Sequence, residues 1–302
     1  MFKHLLVPLD GSSLAESVLP VAACLAETLH TEVTLLHVIE RDAPTEVHGA
    51  RHLHTPDEAQ VYLAVIRDRA FAADRVVHTH VHTVEVKDVA RSIVDHTGEF
   101  AADVIVMCAH GESGLRRRLF GSNAQQVVAL GRTPVVFVPA HIAPFACHRI
   151  LVPLDGEADH EQGLRAAAWL AAASQAALHL LLVIPTRDKL KGEQAATGKL
   201  LPHTMTALLH MSQDSAEEYL RDHLQALRER GLAATAEIAR GDEVAAILGA
   251  VHRTEINLIA LGTHAKTGFD AFWSGSLTPQ LLERTAVPVL LVRADSGPPS
   301  RD

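Results

Sequence analysis

The fold of this chain is decided by residues 103–123, which read DVIVMCAHGESGLRRRLFGSN. The apolar run at the start has the composition of a buried strand in a parallel sheet. A loop containing glycines follows, and Gly121, Ser122 and Asn123 then open an apolar-periodic run that predicts a helix. Because glycine lets the backbone approach closely and a helix N-terminus offers free N–H groups, this order of elements can wrap a phosphate chain.

The same order of elements occurs again at residues 258–276, which read LIALGTHAKTGFDAFWSGS. The two loops are 154 residues apart, counted from Gly121 to Gly275. Residues 3–12 (KHLLVPLDGS) likewise match residues 148–157 (HRILVPLDGE), at a spacing of 145 residues (148 minus 3). Matches that recur in one order along the chain indicate a single domain that has been duplicated.

Each half alternates strands with helices, which predicts a parallel sheet covered on both faces. We therefore expect an α/β fold of two tandem doubly wound domains, each a five-stranded parallel sheet of order 3-2-1-4-5 with helices on both faces. The predicted domains span residues 1–143 and 147–295, and residues 296–302 are predicted as a disordered tail. The polar stretch after the second strand, residues 40–56, is predicted as a variable connection.

One aspartate stands at the end of the first predicted strand in each half. Asp10 and Asp155 end these strands, whereas the glycine loops follow the fourth strands. In a doubly wound sheet, ligands bind outside the carboxyl ends of the strands at the point where the strand order reverses. We therefore expect each aspartate to lie beside the glycine loop of its own half.

Composition and charge narrow the class of protein. The chain has 302 residues, of which 48% are hydrophobic and 21% charged, as in an ordinary globular protein. Its formal net charge of -9 disfavours nucleic acid or an anionic membrane as a partner. The sequence predicts a cytoplasmic location for three reasons. Its three cysteines are scattered, no apolar run approaches the roughly 20 residues of a membrane span, and the first residues already form a predicted strand and not a signal peptide.

Three motifs in order carry a resemblance to a known family. They are Val-Pro-Leu-Asp-Gly after residue 6 and again after residue 151, a loop of the type Gly-x2-Gly-x9-Gly-Ser, and a last strand of the type Pro-Val-x-x-Val. Over nearly all of both halves the chain resembles the universal stress protein family in its tandem, two-domain form. The resemblance implies an adenine-nucleotide-binding fold that holds ATP with Mg²⁺ and regulates a stress response. ATP would order the long loop and change the surface shown to a protein partner, as a nucleotide-dependent switch.

The resemblance also implies which residues contact the nucleotide. In the first half these are Pro8, Asp10, Val38, Cys108, His110, Gly111, Gly121, Ser122 and Asn123, and in the second half Pro153, Asp155, Val183, Gly262, His264, Ala265, Gly275 and Ser276. Cys108 and Ala265 stand where the family motif has glycine, and a side chain can obstruct a phosphate there. Because Arg116, Arg117 and Arg118 add positive charge to the first loop, the first half is the better candidate for a triphosphate.

Alternatives to a nucleotide switch remain open at this stage. The Asp-Gly turns and the Gly-Ser helix starts could serve only as turn and cap residues, which would leave a nucleotide-free scaffold or dimerisation module. His110 or His264 could act as a base in slow ATP hydrolysis. No Ser-His-Asp order or Walker lysine occurs, so we assign no catalytic residue and expect slow or absent turnover.

Histidines at alternate positions form a second feature. His78, His80 and His82 would lie on one face of a strand, because successive side chains point to opposite faces. Three imidazoles can bind Zn²⁺, but same-face neighbours stand roughly 7 Å apart, which is wide for one ion. A solvated or pH-responsive face is the alternative.

The fifth strand of each half, Val135–Val138 and Val289–Val292, is an apolar edge that needs a cover. We predict that the two halves pair through these edges as an intramolecular pseudo-dimer. Whether two chains associate further into a homodimer is left open by the sequence.

Overall fold

The computed structural model describes residues 2–47, 49–111, 119–120, 122–140, 142, 144–156, 161–184, 202–263 and 277–293. The strands in this part of the chain are β1 (His4–Pro8), β2 (Glu32–Glu40), β3 (Glu46–Val47), β4 (Ala50–Arg51), β5 (Val77–Val86), β6 (Val104–Cys108), β7 (His110–Gly111), β8 (Leu119–Phe120), β9 (Val135–Val138), β10 (Arg149–Leu154), β11 (Ala177–Ile184), β12 (Ala234–Arg240), β13 (Leu258–Thr263) and β14 (Val289–Arg293). The helices are α1 (Ser13–Glu16), α2 (Leu19–Leu29), α3 (Pro56–Ala70), α4 (Val89–Glu99), α5 (Ser122–Leu130), α6 (Glu161–Ser174), α7 (Pro202–Glu229), α8 (Glu243–Arg253) and α9 (Leu277–Arg284).

Ten of these strands form one sheet, in the order β12-β11-β10-β13-β14-β9-β6-β1-β2-β5. Each half contributes five parallel strands, and within each half the spatial order is 3-2-1-4-5. The predicted α/β fold and strand order are therefore confirmed. The reversal of strand order lies between β1 and β6 in the first half and between β10 and β13 in the second.

The two halves meet through their fifth strands. β14 pairs with β9 in antiparallel orientation, with Val289 opposite Phe137 and Leu291 opposite Val135. Phe137 is fully buried, with none of its surface exposed. The predicted pairing is confirmed, and it covers two apolar edges that would otherwise expose unpaired backbone groups.

The core lies on both faces of the sheet, because strand side chains alternate between them. On β1, Leu5 and Val7 pack into the cluster beneath α2 and α3, whereas Leu6 packs into the cluster beneath α4 and α5. Parallel strands covered on both faces are apolar along their whole length, which matches the continuous burial of β1 and β6.

Matching aspartates cap the matching helices α4 and α8. The carboxylate of Asp88 accepts a hydrogen bond from the Arg91 N–H at 2.8 Å, and that of Asp242 accepts one from the Ala245 N–H at 2.9 Å. Side-chain acceptors at this position satisfy a free N–H of the first helical turn. The two halves therefore start this helix in the same way. Among the described helices, none combines the length and the hydropathy needed to cross a bilayer.

Candidate functional site

A cavity of about 200 Å³ opens at the carboxyl ends of β1, β2 and β6, at the reversal of strand order in the first half. Five residues that the sequence assigns to nucleotide contact line it, namely Pro8, Asp10, Val38, Cys108 and Asn123. They come from four separate segments of the chain. The expected convergence of the Asp-Gly turn with the region of the glycine loop is thus present in the fold.

Asp10 has a structural role in addition to lining the cavity. Its Oδ1 accepts hydrogen bonds from the N–H of Ser12 at 2.9 Å and from the Ser12 hydroxyl at 2.6 Å. The Ser12 Oγ in turn accepts from the Ala15 N–H at 3.1 Å and caps α1. Gly11 between them has a φ of +91°, a region that favours glycine, and a Cβ there would lie 3.0 Å from Leu53. The motif therefore builds the turn that holds Asp10 at the cavity.

His37 supplies a polar group that the sequence reasoning missed. It lies on β2, is 1% exposed and lines the cavity. Its Nδ1 donates to the Leu9 carbonyl at 2.7 Å, so Nε2 is the acceptor nitrogen of a neutral ring. Burial lowers the pKa of His37, and nearby His52 lowers it further, which favours the neutral form. Among the described residues, the buried Nε2 of His37 meets no partner at hydrogen-bonding geometry, although the Leu53 carbonyl lies close enough to the ring to oppose the lowering of its pKa.

A small hairpin closes one side of the cavity. β3 and β4 pair in antiparallel orientation, and the chain then places His52, which is 3% exposed, in the cavity wall. The Nε2 of His52 lies 3.6 Å from a carboxylate oxygen of Glu40, and its Nδ1 donates to the Leu53 carbonyl at 3.2 Å. The sequence reasoning treated this stretch as a variable connection. An available signal was the histidine-rich composition of a stretch that follows the second strand directly.

The start of α5 lies at the same cavity. Asn123, in the first turn of α5, lines it together with Cys108, whose Sγ accepts from the Ser17 hydroxyl at 3.7 Å. His110 and Gly111 form β7, which pairs with β8 in antiparallel orientation and so shortens the predicted loop. Ser122 begins α5, as the motif predicts. Gly121 and the arginines Arg116, Arg117 and Arg118 lie outside the described residues.

The second half is described only in part at the corresponding position. Pro153, Asp155, Val183 and Gly262 lie at the carboxyl ends of β10, β11 and β13, the edge that the fold assigns to ligands. The predicted contacts His264, Ala265, Gly275 and Ser276 lie outside the described residues.

Gly262 has a close helix neighbour. A Cβ built on Gly163 of α6 would lie 2.5 Å from the backbone nitrogen of Gly262, so the helix and the strand touch through their glycines.

The histidines on β5 are arranged differently from the predicted set. The structure brings His80 and His82 together with His96 of α4, and each offers a nitrogen within 4.8 Å of the others. His78 stands apart, with its Nε2 3.7 Å from a carboxylate oxygen of Glu32. His78 and His82 are four residues apart, about 13 Å along a strand, which is too far for one ion. The third member therefore comes from a helix, which the strand pattern alone does not indicate.

Known proteins resemble this chain over nearly its full length. The model of the universal stress protein family matches residues 1–139 and again residues 147–293. A universal stress protein of Synechocystis sp. is 22% identical over 312 residues, which cover 96% of this chain and 100% of that protein. A second one from the same organism is 30% identical over 140 residues, covering 46% of this chain and 87% of its own length.

Solved structures give the same result for the fold. The crystal structure of a universal stress protein from Archaeoglobus fulgidus matches with a TM-score of 0.70 at 17% identity, covering 96% of this chain and 98% of that one. A functionally unknown protein from Pseudomonas aeruginosa matches with a TM-score of 0.66 at 16% identity, covering 97% of this chain and 92% of that one. With two matches to the family model and relatives that span both halves, this chain belongs to the universal stress protein family and contains two copies of its domain.

Proposed function

We propose that the first half of this chain binds ATP with Mg²⁺ at the cavity between β1, β2 and β6, and that the bound nucleotide acts as a switch in a stress response. The observation that carries the proposal is the convergence of Pro8, Asp10, Val38, Cys108 and Asn123 on one cavity at the reversal of strand order. Doubly wound sheets bind their ligands at this position.

The chemistry of the cavity suits a nucleoside. Val38, Val89, Ile93 and Met107 give it apolar walls that fit a planar base. Asp10 can accept hydrogen bonds from ribose hydroxyls, and the acceptor nitrogen of His37 can accept one from an amino group on the base. Few polar groups on an otherwise apolar surface are what orient a small ligand.

The phosphates would leave the cavity toward the start of α5. A cavity of about 200 Å³ is smaller than the roughly 300 to 1,000 Å³ of typical ligand sites, so it suits the nucleoside part. The N-terminus of α5, at Ser122 and Asn123, offers N–H groups and a positive dipole end to the phosphate groups. His110, Gly111 and Gly121 would contact them there, and Mg²⁺ would neutralise part of their charge.

We extend the proposal to the second half, where we expect a triphosphate to fit less well. Pro153, Asp155, Val183, Gly262, His264, Ala265, Gly275 and Ser276 would form that site. Ala265 replaces the glycine nearest the expected phosphates, whereas the loop of the first half carries three arginines. We therefore expect the first half to bind ATP more tightly. The cytoplasm is the compartment we expect.

A second candidate function is a nucleotide-free scaffold. It is favoured by one observation, that Oδ1 of Asp10 already serves the turn by accepting two hydrogen bonds from Ser12. In that case the motif would exist for the turn and for the caps of α1 and α5. Slow ATP hydrolysis is a third candidate, which measurement of phosphate release over time would detect.

Calorimetric titration of the nucleotide-stripped chain with Mg-ATP tests the proposal. A universal stress protein is known in complex with cAMP, so cAMP, ADP and AMP are titrated alongside. We expect Asp10→Ala to weaken the tighter site at least tenfold and Asp155→Ala to leave that site unchanged. Ser12→Ala is the matched control, because it removes the hydroxyl bond to Asp10 and the side-chain cap of α1 but keeps the carboxylate and its bond from the N–H of residue 12.

Two results would separate the candidates. Equal loss of affinity in Asp10→Ala and Ser12→Ala would mean that the turn, rather than the carboxylate, is what binding needs. No heat of binding at millimolar nucleotide would exclude the switch and leave the scaffold.

A further inference from the structure

Three histidines converge at the free edge of the sheet, outside the nucleotide cavity. His80 and His82 of β5 and His96 of α4 each offer a nitrogen within 4.8 Å of the other two. The ring centroid of His96 lies 5.1 Å from that of His80 and 5.0 Å from that of His82. None of the three lines the cavity described above. This cluster is therefore a separate feature of the first half.

The orientation of His96 is fixed as in a metal ligand. The side chain is 4% exposed, and its Nδ1 donates to the Ser92 carbonyl at 2.6 Å. A carbonyl only accepts, so the proton sits on Nδ1 and Nε2 keeps its lone pair. A backbone carbonyl that holds the second nitrogen in this way is the usual support of a histidine that binds a metal.

Phe100 packs against two of the three rings. Phe100 stacks on His96, with ring centroids 5.6 Å apart, and meets His80 edge-on at 4.9 Å. Glu99 adds a carboxylate, with Oε2 3.6 Å from the Nε2 of His96. The cluster thus offers three imidazole nitrogens, and the exposed side chain of Glu99 lies beside one of them, where a rotation can bring its carboxylate toward the other two.

The second half has a different link at the same place. Leu36 and Leu181 are equivalent positions of the two halves, at the repeat spacing of 145 residues (181 minus 36). Leu36 pairs with His80 and Leu181 pairs with Glu237, so Glu237 is the counterpart of His80. Counted from the capping aspartates of α4 and α8, the residue that corresponds to Glu99 is Arg253.

The guanidinium of Arg253 binds the carboxylate of Glu237 at 2.6 Å and so ties the edge strand β12 to α8. Ala239 and Ala250 stand where the first half has His82 and His96. At the position of Arg253 the first half therefore has the acidic residue Glu99, beside the three histidines.

We propose that His80, His82 and His96 bind one Zn²⁺ ion, with Glu99 as the fourth ligand, and that the ion ties β5 to α4. Zn²⁺ prefers four ligands of this kind, at about 2.0 to 2.1 Å from imidazole nitrogen. Tetrahedral ligands then lie about 3.4 Å apart, so the nitrogens need to approach by little more than 1 Å from their separations of up to 4.8 Å. Small side-chain rotations on β5 achieve this because His80 and His82 are only partly buried.

Titration of the chelator-treated full chain with Zn²⁺, without nucleotide, tests the site. We expect one tight equivalent, and a tetrahedral absorption spectrum when Co²⁺ is the probe. His82→Gln and His96→Gln should each weaken Zn²⁺ binding at least tenfold, and Glu99→Gln should weaken it less. His78→Gln is the matched control, since His78 is on the same strand but outside the cluster.

A thermal readout separates a specific site from casual binding by the 20 histidines of the chain. Zn²⁺ should raise the unfolding temperature of the unsubstituted chain and of His78→Gln, but not that of His82→Gln. The partly exposed His82 keeps this comparison valid even if the buried substitution His96→Gln prevents folding. Failure to bind Zn²⁺, or equal loss in His78→Gln and His82→Gln, would overturn the proposal.

Discussion

Replacing Gly163 with alanine should destabilise this protein, although alanine is the better helix former. Gly163 lies in α6, and a Cβ there would be 2.5 Å from the nitrogen of Gly262 and 2.8 Å from the carbonyl carbon of Leu261. Both are backbone atoms, so α6 and β13 must move apart. Overpacking of this kind costs about 1 to 3 kcal/mol. Because alanine in place of glycine returns about 1 kcal/mol in a helix, the net loss is about 0 to 2 kcal/mol, and we expect the upper part of that range because both close atoms are backbone.

Gly98→Ala is the matched control for this substitution. Gly98 also lies in a helix, α4, but a Cβ there meets nothing within 4 Å among the described atoms. The helical preference of alanine then acts alone, and we expect stabilisation of up to about 1 kcal/mol. The two substitutions, identical in chemistry, should therefore change the free energy of unfolding in opposite directions.

Urea unfolding followed by circular dichroism measures both effects, provided that the slope against denaturant is unchanged between variants. The expected result is a lower midpoint for Gly163→Ala and an equal or higher one for Gly98→Ala. If Gly163→Ala unfolds at or above the midpoint of the unsubstituted chain, α6 and β13 do not touch as closely as described. Packing at the start of the second loop would then need another explanation.

Three further predictions follow from buried groups. Val136 is 3% exposed and lies opposite Leu290 between the two halves, so Val136→Asp should cost about 3 to 5 kcal/mol and lower the urea midpoint; a compact, soluble variant with an unchanged midpoint would contradict the pairing. Burial lowers the pKa of His37 in the folded chain, so the unfolded chain takes up the proton first and the free energy of unfolding should fall as the pH drops below about 6.5. Urea midpoints measured from about pH 7.5 to 5 should depend less on pH in His37→Gln, and an unchanged dependence would argue against a lowered pKa of His37. Burial raises the pKa of Cys147 to about 11, so a disulfide reagent should modify this thiol only after unfolding, and rapid modification of the folded chain, mapped by mass spectrometry, would show that it is accessible.

The strand order and the location of the cavity were predictable because they depend on patterns that the chain repeats. Continuous apolar runs specify buried parallel strands, and the duplicated motifs fix where each half begins again. Asp10 and Cys108 could be placed together from the rule that ligands bind where the strand order reverses. Chemistry and topology agree at this point, so the sequence was sufficient.

The remaining parts of the two clusters depend on tertiary packing that no local pattern encodes. His52 reaches the cavity only because the short hairpin of β3 and β4 folds back over it. His96 meets His82 through a contact between a helix side chain and a side chain of the edge strand, and a period of two along β5 indicates nothing about a residue on a helix. His37 could have been noticed as a histidine within an otherwise apolar strand, but its partner, the Leu9 carbonyl, is known only from the fold.

Through the antiparallel pairing of β9 with β14, each half permanently covers the exposed sheet edge of the other. A single half on its own would need to dimerise with a second copy to cover this edge strand, and its dimerisation would depend on protein concentration. A short tether replaces that search with an effective concentration in the millimolar range, so the chain is assembled even when it is scarce. Tethering also lets the two halves diverge. In a homodimer every substitution appears in both subunits, whereas here a substitution changes one half only. The two halves have diverged in this way at the junction between the edge strand and the helix. The second half has an arginine–glutamate pair there and the first half has the histidine cluster, while both keep the strand that covers the other half's edge.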